Sequence, residues 1–240
     1  MILVKPGPLG EPADRLLAKV SASGHAVVTG ADTLRVALGG TSAVPGSQPL
    51  PLVTLAISDG PIVFDFLGFV QSLVDCRLRV LMLSRLGAHP DARAASLQRL
   101  WRLEEHLRGG GLPTLTLRFA PIVGPDAPLW KMLGTRPALG SQARKLVNPV
   151  AERDAVETLL RALDGRALWH GWFEVASDDV VSLGDLSAMA ARAPGEKTGG
   201  AWEPPLDEIA EHRLAESAPW AQHFGITPTP LAAWAGAGAR

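Results

Sequence analysis

Short apolar runs alternate with segments of helical periodicity along most of this chain, and that alternation limits the possible fold more than any other feature. The apolar runs predict six strands, at residues 2–4, 26–28, 52–57, 80–84, 114–119 and 173–176. Strands buried on both faces of a parallel sheet are typically continuous apolar runs, as two of these are. Strands that alternate with helices favour βαβ units, so the sequence predicts an α/β protein with a parallel sheet.

Helical spacing of apolar residues predicts three helices between these strands. Their apolar positions are 66, 69, 70, 73 and 74 in the first helix, 97, 100, 101 and 107 in the second, and 156, 159, 160 and 163 in the third. Glycines end the second helix at residues 109–111 and the third at residue 165. We predict a Rossmann-like, doubly wound sheet with helices on both faces and the strand at 2–4 in its interior. If the stripe on the second helix is exposed in the monomer, a partner is expected to cover it.

The character of the chain changes near Gly124, after which Pro, Trp and irregular segments become more frequent. We therefore expect residues 1–125 to form the first part of the Rossmann-like core. Residues 126–240 are expected to hold the remaining core elements, at about 145–177, and a small C-terminal lobe.

Charge and cysteine content argue against several functions. The formal net charge is −1, so nothing favours binding to nucleic acid or to an anionic membrane surface. Cys76 is the only cysteine, which excludes an intramolecular disulfide and a cysteine-based zinc site, and the six histidines lack metal-binding spacing. The most apolar stretch, at 62–70, is far shorter than the ~20 residues of a membrane helix. We expect a cytoplasmic protein without metal, nucleic-acid partner or membrane insertion.

Five stretches carry a further signal because of the order in which they occur. They are residues 1–10 with 24–27, then 80–88, 104–125, 148–155 and 224–228. Together they resemble the extended and atypical branches of the short-chain dehydrogenase/reductase superfamily, the epimerase-like and NmrA-like proteins. The chain is similar to a shortened and degenerate member of that group.

The resemblance implies a nucleotide site and a substrate site. In such folds the glycines after the first strand let the backbone approach a pyrophosphate at a helix N-terminus. The implied cofactor-binding residues are Gly7, Gly10, Ser84 and Pro121, and the implied substrate-binding residues are Arg118, Trp130 and Asn148. Ser84 is equally typical of a helix or turn cap, and Arg118 of a structural ion pair, so both alternatives stay open.

The nucleotide turn departs from the family pattern. Its best register is Gly7-x-x-Gly10-x-x-Ala13, and Pro8 and Pro12 within it each remove an N–H that could contact phosphate. The region between residues 28 and 52 is also shorter than the roughly 30 residues that a βαβ unit needs. We therefore expect either no cofactor or weakly bound NAD(P), the alternative being that the loop only turns the chain.

The catalytic pair of the family is missing. Classical members use a Tyr as acid and base, with a Lys four residues later that lowers its pKa. The chain contains no tyrosine, and counting back from Glu104 places Ser96 and Leu100 at the two positions. We predict a non-catalytic protein, a pseudoenzyme that acts through a ligand, a protein partner or a homo-oligomer, including as a subunit of a larger assembly. The alternative is an atypical NAD(P)-dependent reductase or epimerase that lacks the Tyr–Lys pair.

Overall fold

The computed structural model describes residues 2–5, 13–24, 27–29, 52–58, 77–135, 138–166, 168–193, 209 and 211–235. The described strands are β1 (Ile2–Lys5), β2 (Val27–Thr29), β3 (Leu52–Ile57), β4 (Arg77–Arg85), β5 (Thr114–Phe119), β6 (Ile122–Val123), β7 (Leu146–Val147), β8 (Val150–Ala151), β9 (Trp172–Val175) and β10 (Val181–Ser182). The described helices are α1 (Ala13–Ala22), α2 (Ala95–Gly109), α3 (Pro128–Gly134), α4 (Glu152–Arg161), α5 (Leu183–Arg192), α6 (Ala218–Phe224) and α7 (Leu231–Ala235).

Six of these strands form one sheet in the order β2-β1-β3-β4-β5-β9. Every neighbouring pair in it is parallel. The strand β1 lies in the interior, between β2 and β3, and the sheet order reverses there. The prediction of a Rossmann-like parallel sheet with an interior first strand is confirmed. Two small ladders, β6 with β8 and β7 with β10, lie outside this sheet.

One face of the sheet packs against α2. Alternate residues of β3 and β4 meet the helix there, because side chains of a strand point to opposite faces in turn. The apolar cluster on this face is formed by Val53, Leu55, Ile57, Val80, Met82, Leu97, Leu100 and Leu107. Three of the four residues in the predicted apolar stripe of α2 are therefore core residues, and the fourth, Trp101, is half-buried.

The opposite face packs against α1 and α4. Its apolar cluster includes Leu16, Leu17, Leu81, Leu83, Leu115, Leu117, Leu159 and Trp220. Helix α6 joins this layer, and Gly225 ends it in the left-handed region at φ +62°. The Nη1 of Arg161 donates to the carbonyls of Phe224 and Gly225 at 2.6 and 2.5 Å, which ties this C-terminal turn to α4.

A third cluster connects α3 and α5 beyond the carboxyl end of the sheet. It contains Val123, Trp130, Leu133, Val147, Leu183, Leu186 and Leu231. Helix α5 begins at an ordinary N-cap, since the Ser182 Oγ accepts the Asp185 N–H at 3.0 Å. All of these residues come from the second half of the chain.

Element bounds follow the sequence closely where burial is complete. Strands β3 and β5 have the predicted bounds, whereas β4 begins three residues earlier than predicted, at Arg77, because charged residues at 77 and 79 pair with β3 despite their polarity. The helix predicted over 66–74 lies outside the described residues. Within the described ranges, no helix is long and apolar enough to cross a lipid bilayer.

Candidate functional site

A cleft of about 940 Å³, part of it open to solvent, lies at the carboxyl ends of β3, β4 and β5. Open parallel α/β sheets bind ligands at this edge, next to the point where the strand order reverses. Its described lining includes Ala13, Leu16, Ser58, Leu83, Ser84, Leu86, Phe119, Ala120, Pro121, Ile122, Leu129 and Ile209. The cleft therefore occupies the position in which this class of fold holds its ligand.

Ser84 stands near the carboxyl end of β4, directly opposite Arg118 of β5. Residues that are paired across a ladder point to the same face, so both side chains lie on the α2 side of the sheet. The Ser84 Oγ donates a hydrogen bond to Oε1 of Glu104 at 2.5 Å, and the serine is only 2% exposed. Its proton is directed into the protein rather than toward the cleft.

Glu104 reaches this point from α2 and is 1% exposed. The Nη2 of Arg118 donates to Oε2 of Glu104 at 2.5 Å, and its Nε lies 3.1 and 3.2 Å from the two carboxylate oxygens. The guanidinium also stacks 4.5 Å above the ring of Trp172. We call Ser84, Glu104, Arg118 and Trp172 the serine–glutamate–arginine network. Of the two alternatives for Arg118, the structure contains the ion pair.

The network extends toward β9, where Glu174 is paired with Arg118 in the ladder. Burial raises the pKa of the Glu174 carboxyl, and the charge of Arg118 opposes part of that rise. Arg118 therefore faces two carboxylates while its hydrogen bonds go to Glu104.

The two positions that correspond to the family's Tyr and Lys do not form an acid–base pair. Ser96 is half-buried in the first turn of α2, and Leu100 is completely buried against the sheet. Leu100 offers neither a proton nor a charge, and the hydroxyl of Ser84 is directed to Glu104. Gly7 and Gly10, the predicted pyrophosphate turn, lie outside the described residues.

A second group of charges lies where α1 meets the cleft. Glu152, at the start of α4 and 6% exposed, accepts from the Nε of Arg15 at 2.5 Å and from the Nζ of Lys19 at 2.8 Å. The Nη1 of Arg15 donates to the carbonyl of Asp126. The two cations of α1 are therefore held by protein acceptors.

The remaining predicted site residues occupy different surroundings. Pro121 lines the cleft beside Ser84. Trp130 is 5% exposed in the apolar cluster of α3 and α5. The Nδ2 of Asn148 donates to the carbonyl of Ser177 at 3.2 Å, and its Oδ1 accepts the N–H of Ala215 at 3.0 Å. Neither Trp130 nor Asn148 is among the described residues of the lining, and their roles in substrate binding stay predictions.

Sequence reasoning missed Glu104 because Glu105 and His106 beside it are typical of a solvated helix face. Its spacing was a usable signal: residues 97, 100, 104 and 107 share one face of α2, and three of them are leucines. In the part of the chain that the structure describes, no group of three or more His, Cys, Asp or Glu side chains could hold a metal ion.

Comparison with known proteins identifies the fold but no close relative. No family model matches the chain, and no curated protein matches it in sequence. Among solved structures, the Bordetella bronchiseptica enzyme WbmH in complex with NAD+ is 19% identical, with a TM-score of 0.61 over 99% of this chain and 96% of that one. The UDP-glucuronic acid 4-epimerase from Bacillus cereus, in complex with UDP-glucuronic acid and NAD, is 14% identical, with a TM-score of 0.55 over 99% and 97%.

TunA, an NAD-dependent NDP-hexosamine 5,6-dehydratase involved in tunicamycin biosynthesis, is 16% identical, with a TM-score of 0.57 over 99% of this chain and 95% of that one. These likenesses cover nearly the whole chain at low identity. They show a Rossmann-like fold of the kind found in NAD-dependent epimerases and dehydratases. The resemblance to the extended short-chain dehydrogenase/reductase group is confirmed at the level of the fold.

Proposed function

We propose that this chain is a non-catalytic protein on a short-chain dehydrogenase/reductase fold, which binds a ligand or a protein partner without converting a substrate. One observation carries the proposal: the hydroxyl of Ser84 is hydrogen-bonded to Glu104, and that carboxylate is ion-paired with Arg118. A general acid must reach the substrate with a suitable pKa. A serine that donates to a buried carboxylate, without a Tyr or a Lys beside it, does not meet that requirement.

The second candidate is an atypical NAD(P)-dependent reductase or epimerase without the Tyr–Lys pair. It is favoured by two of the similar structures, which are complexes with NAD. Ala13 also supports it, since this residue is 4% exposed at the start of α1, where a small side chain permits close helix–sheet packing. The two candidates differ most in their expected affinity for the dinucleotide.

Calorimetric titration with NAD+, NADH, NADP+ and NADPH separates them. We expect dissociation constants weaker than ~0.1 mM, which corresponds to about −5.5 kcal/mol. The reason is that Pro8 and Pro12 lack the N–H groups that the predicted pyrophosphate turn could donate to a phosphate. Arg15 and Lys19 already donate hydrogen bonds to Glu152. A low-micromolar constant for any of the four nucleotides would favour the enzyme and end the present proposal.

Substitution of the two serines tests the same proposal from the protein side. Ser84→Ala should lower the free energy of unfolding by about 1.5–3 kcal/mol, because it removes a buried hydrogen bond to a charged acceptor, and should leave nucleotide affinity unchanged. Ser96→Ala is the matched control and should leave any biological activity unchanged. A hundredfold loss of a measured turnover in Ser96→Ala, equal to ~2.7 kcal/mol of transition-state stabilisation, would contradict a non-catalytic role.

Location and association belong to the proposal as well. The single cysteine agrees with a reducing, cytoplasmic compartment. A protein partner or second copy of the chain remains expected, although the stripe of α2 is not the surface for it, since Leu97, Leu100 and Leu107 are in the core.

A further inference from the structure

We propose that the cleft at the carboxyl end of the sheet binds an uncharged, largely apolar small molecule. This inference rests on the proposed function, because it names the class of ligand that a non-catalytic protein would hold in that cleft. Most of the described lining residues are aliphatic or aromatic, and they lie on all sides of the cleft. It includes Leu16 of α1, Leu83 and Leu86 at the end of β4, Phe119 and Ile122 around β5, and Leu129 of α3.

The charged residues of the lining are already paired. Arg15 and Glu152 form an ion pair with each other. Arg213 lies 3.1 Å from the Glu211 carboxylate, and Arg85 also has an interaction partner. An anionic ligand would compete with these ion pairs, whereas an uncharged ligand leaves them intact.

Arg213 is held in place by a close approach that only glycine permits. Gly87 follows β4 with φ +94°, and a Cβ on it would lie 2.6 Å from the Nε of Arg213. The guanidinium is thereby packed against the chain and is 7% exposed. It borders the cleft as a closely packed side chain.

The composition of the cleft suits such a ligand. Binding sites for small molecules are concave and mostly apolar, with a few polar groups that orient the ligand. The described lining has that composition, and it includes one serine, Ser58, that no other contact described above involves.

The test is a fluorescence titration with N-phenyl-1-naphthylamine, an uncharged apolar dye. Wild-type protein should bind it saturably, with a dissociation constant of ~10 µM for a molecule of this size. Leu86→Gln, which places an amide in the lining, should weaken binding by about fivefold or more, in line with the loss of one buried apolar contact. The matched control Leu168→Gln changes a leucine that is 66% exposed and outside the lining, and should leave binding unchanged.

Circular dichroism establishes that each variant is folded. If Leu86→Gln is not folded, Ile209→Gln, elsewhere in the lining, carries the same expectation. The inference is overturned if wild-type protein shows no saturable binding, or if Leu86→Gln and Leu168→Gln behave alike. Should the dye fail to bind while the nucleotides also bind weakly, this inference fails and the proposed function stands. Should NAD+ displace the dye at low micromolar concentration, both fail.

Discussion

Two arginines stacked on tryptophan rings lie at opposite ends of the sheet, and they are held in different ways. Arg118, at the carboxyl end, lies 4.5 Å above the ring of Trp172 and is ion-paired with Glu104. Arg79, nearer the amino end of β4, lies 3.7 Å above the ring of Trp169. Arg118 therefore has a buried counter-charge in Glu104 as well as a stacking contact, and Arg79 has a stacking contact of the same kind.

Arg79 has several interaction partners, and two of them are neutral groups. Its Nε donates to the Thr54 hydroxyl at 2.8 Å and its Nη2 to the carbonyl of Leu163 at 3.3 Å, in the π-helical turn Ala162–Arg166 after α4. Carbonyls at the end of a helix carry partial negative charge and favour a cation. Burial nevertheless lowers the pKa of Arg79 to about 10.

The difference indicates which buried charge the fold depends on. Removing one member of a buried ion pair leaves the other without compensation, whereas replacing a desolvated cation by an apolar side chain also removes its desolvation penalty. The carboxyl end should thus be sensitive to the loss of charge, and at the amino end the same loss would remove the desolvation that lowers the pKa of Arg79. The same substitution at both arginines can test this contrast.

The largest effect is expected from Arg118→Met, which leaves the Glu104 carboxylate buried without its partner. We expect the free energy of unfolding, measured in urea, to fall by about 3–5 kcal/mol. The double variant Glu104→Gln/Arg118→Met should recover part of that loss, because the buried negative charge is then absent. A loss below about 1 kcal/mol in the single variant would show that the pair is not structurally important.

A much smaller effect is expected from Arg79→Met. It forfeits the contact with the Trp169 ring and the hydrogen bond to Thr54, but it relieves the desolvation that lowers the pKa of Arg79. We expect a change in the free energy of unfolding within about 1 kcal/mol in either direction. A loss as large as that of Arg118→Met would remove the contrast between the two ends.

The pH dependence of the same variant has a definite sign. The pKa of Arg79 is lowered on folding, so the folded state binds this proton less tightly than the unfolded state. The resulting penalty is fully present below about pH 10 and fades at higher pH. Between pH 6 and 9, the stability difference between wild type and Arg79→Met should therefore stay constant.

The sheet was predictable from the sequence because its central strands are short, mostly buried runs rich in apolar and β-branched residues. Strands β3 and β5 have the predicted bounds for that reason. The early start of β4 was not predictable, since Arg79 interrupts the apolar run and is accommodated by contacts that include Thr54 on the neighbouring strand and Trp169, which is distant in sequence.

The site was predictable only in part. Ser84 and Arg118 could be singled out from the chain, and the ion-pair alternative for Arg118 was open. Its partner Glu104 and the stacking residue Trp172 depend on how α2 and β9 pack, which a local pattern does not encode. Spacing along α2 placed Glu104 on the buried face. The role of its carboxylate, however, can be inferred only when the position of its cationic partner is known.

The smallest expected effect, and the sharpest test of how Arg118 is used, comes from Glu174→Gln. Burial raises the pKa of the Glu174 carboxyl despite the charge of Arg118, so the folded state binds its proton more tightly than the unfolded state. Stability should therefore fall as the pH rises from the ordinary value of 4.5 through the raised value, and the penalty is fully present above it. At pH 7 the free energy of unfolding of Glu174→Gln should exceed that of wild type by less than about 1 kcal/mol, because the carboxyl group is partly exposed. At pH 4, which is below the pKa in both states, most of the gain should disappear. Calorimetric melting at the two pH values measures this, with Glu105→Gln as control, since that residue forms only a surface pair with Arg108 and its loss should not stabilise the protein. A loss of stability in Glu174→Gln at pH 7 would mean that Arg118 is shared between two carboxylates, and the carboxyl end would then be a three-member charge cluster rather than a closed pair.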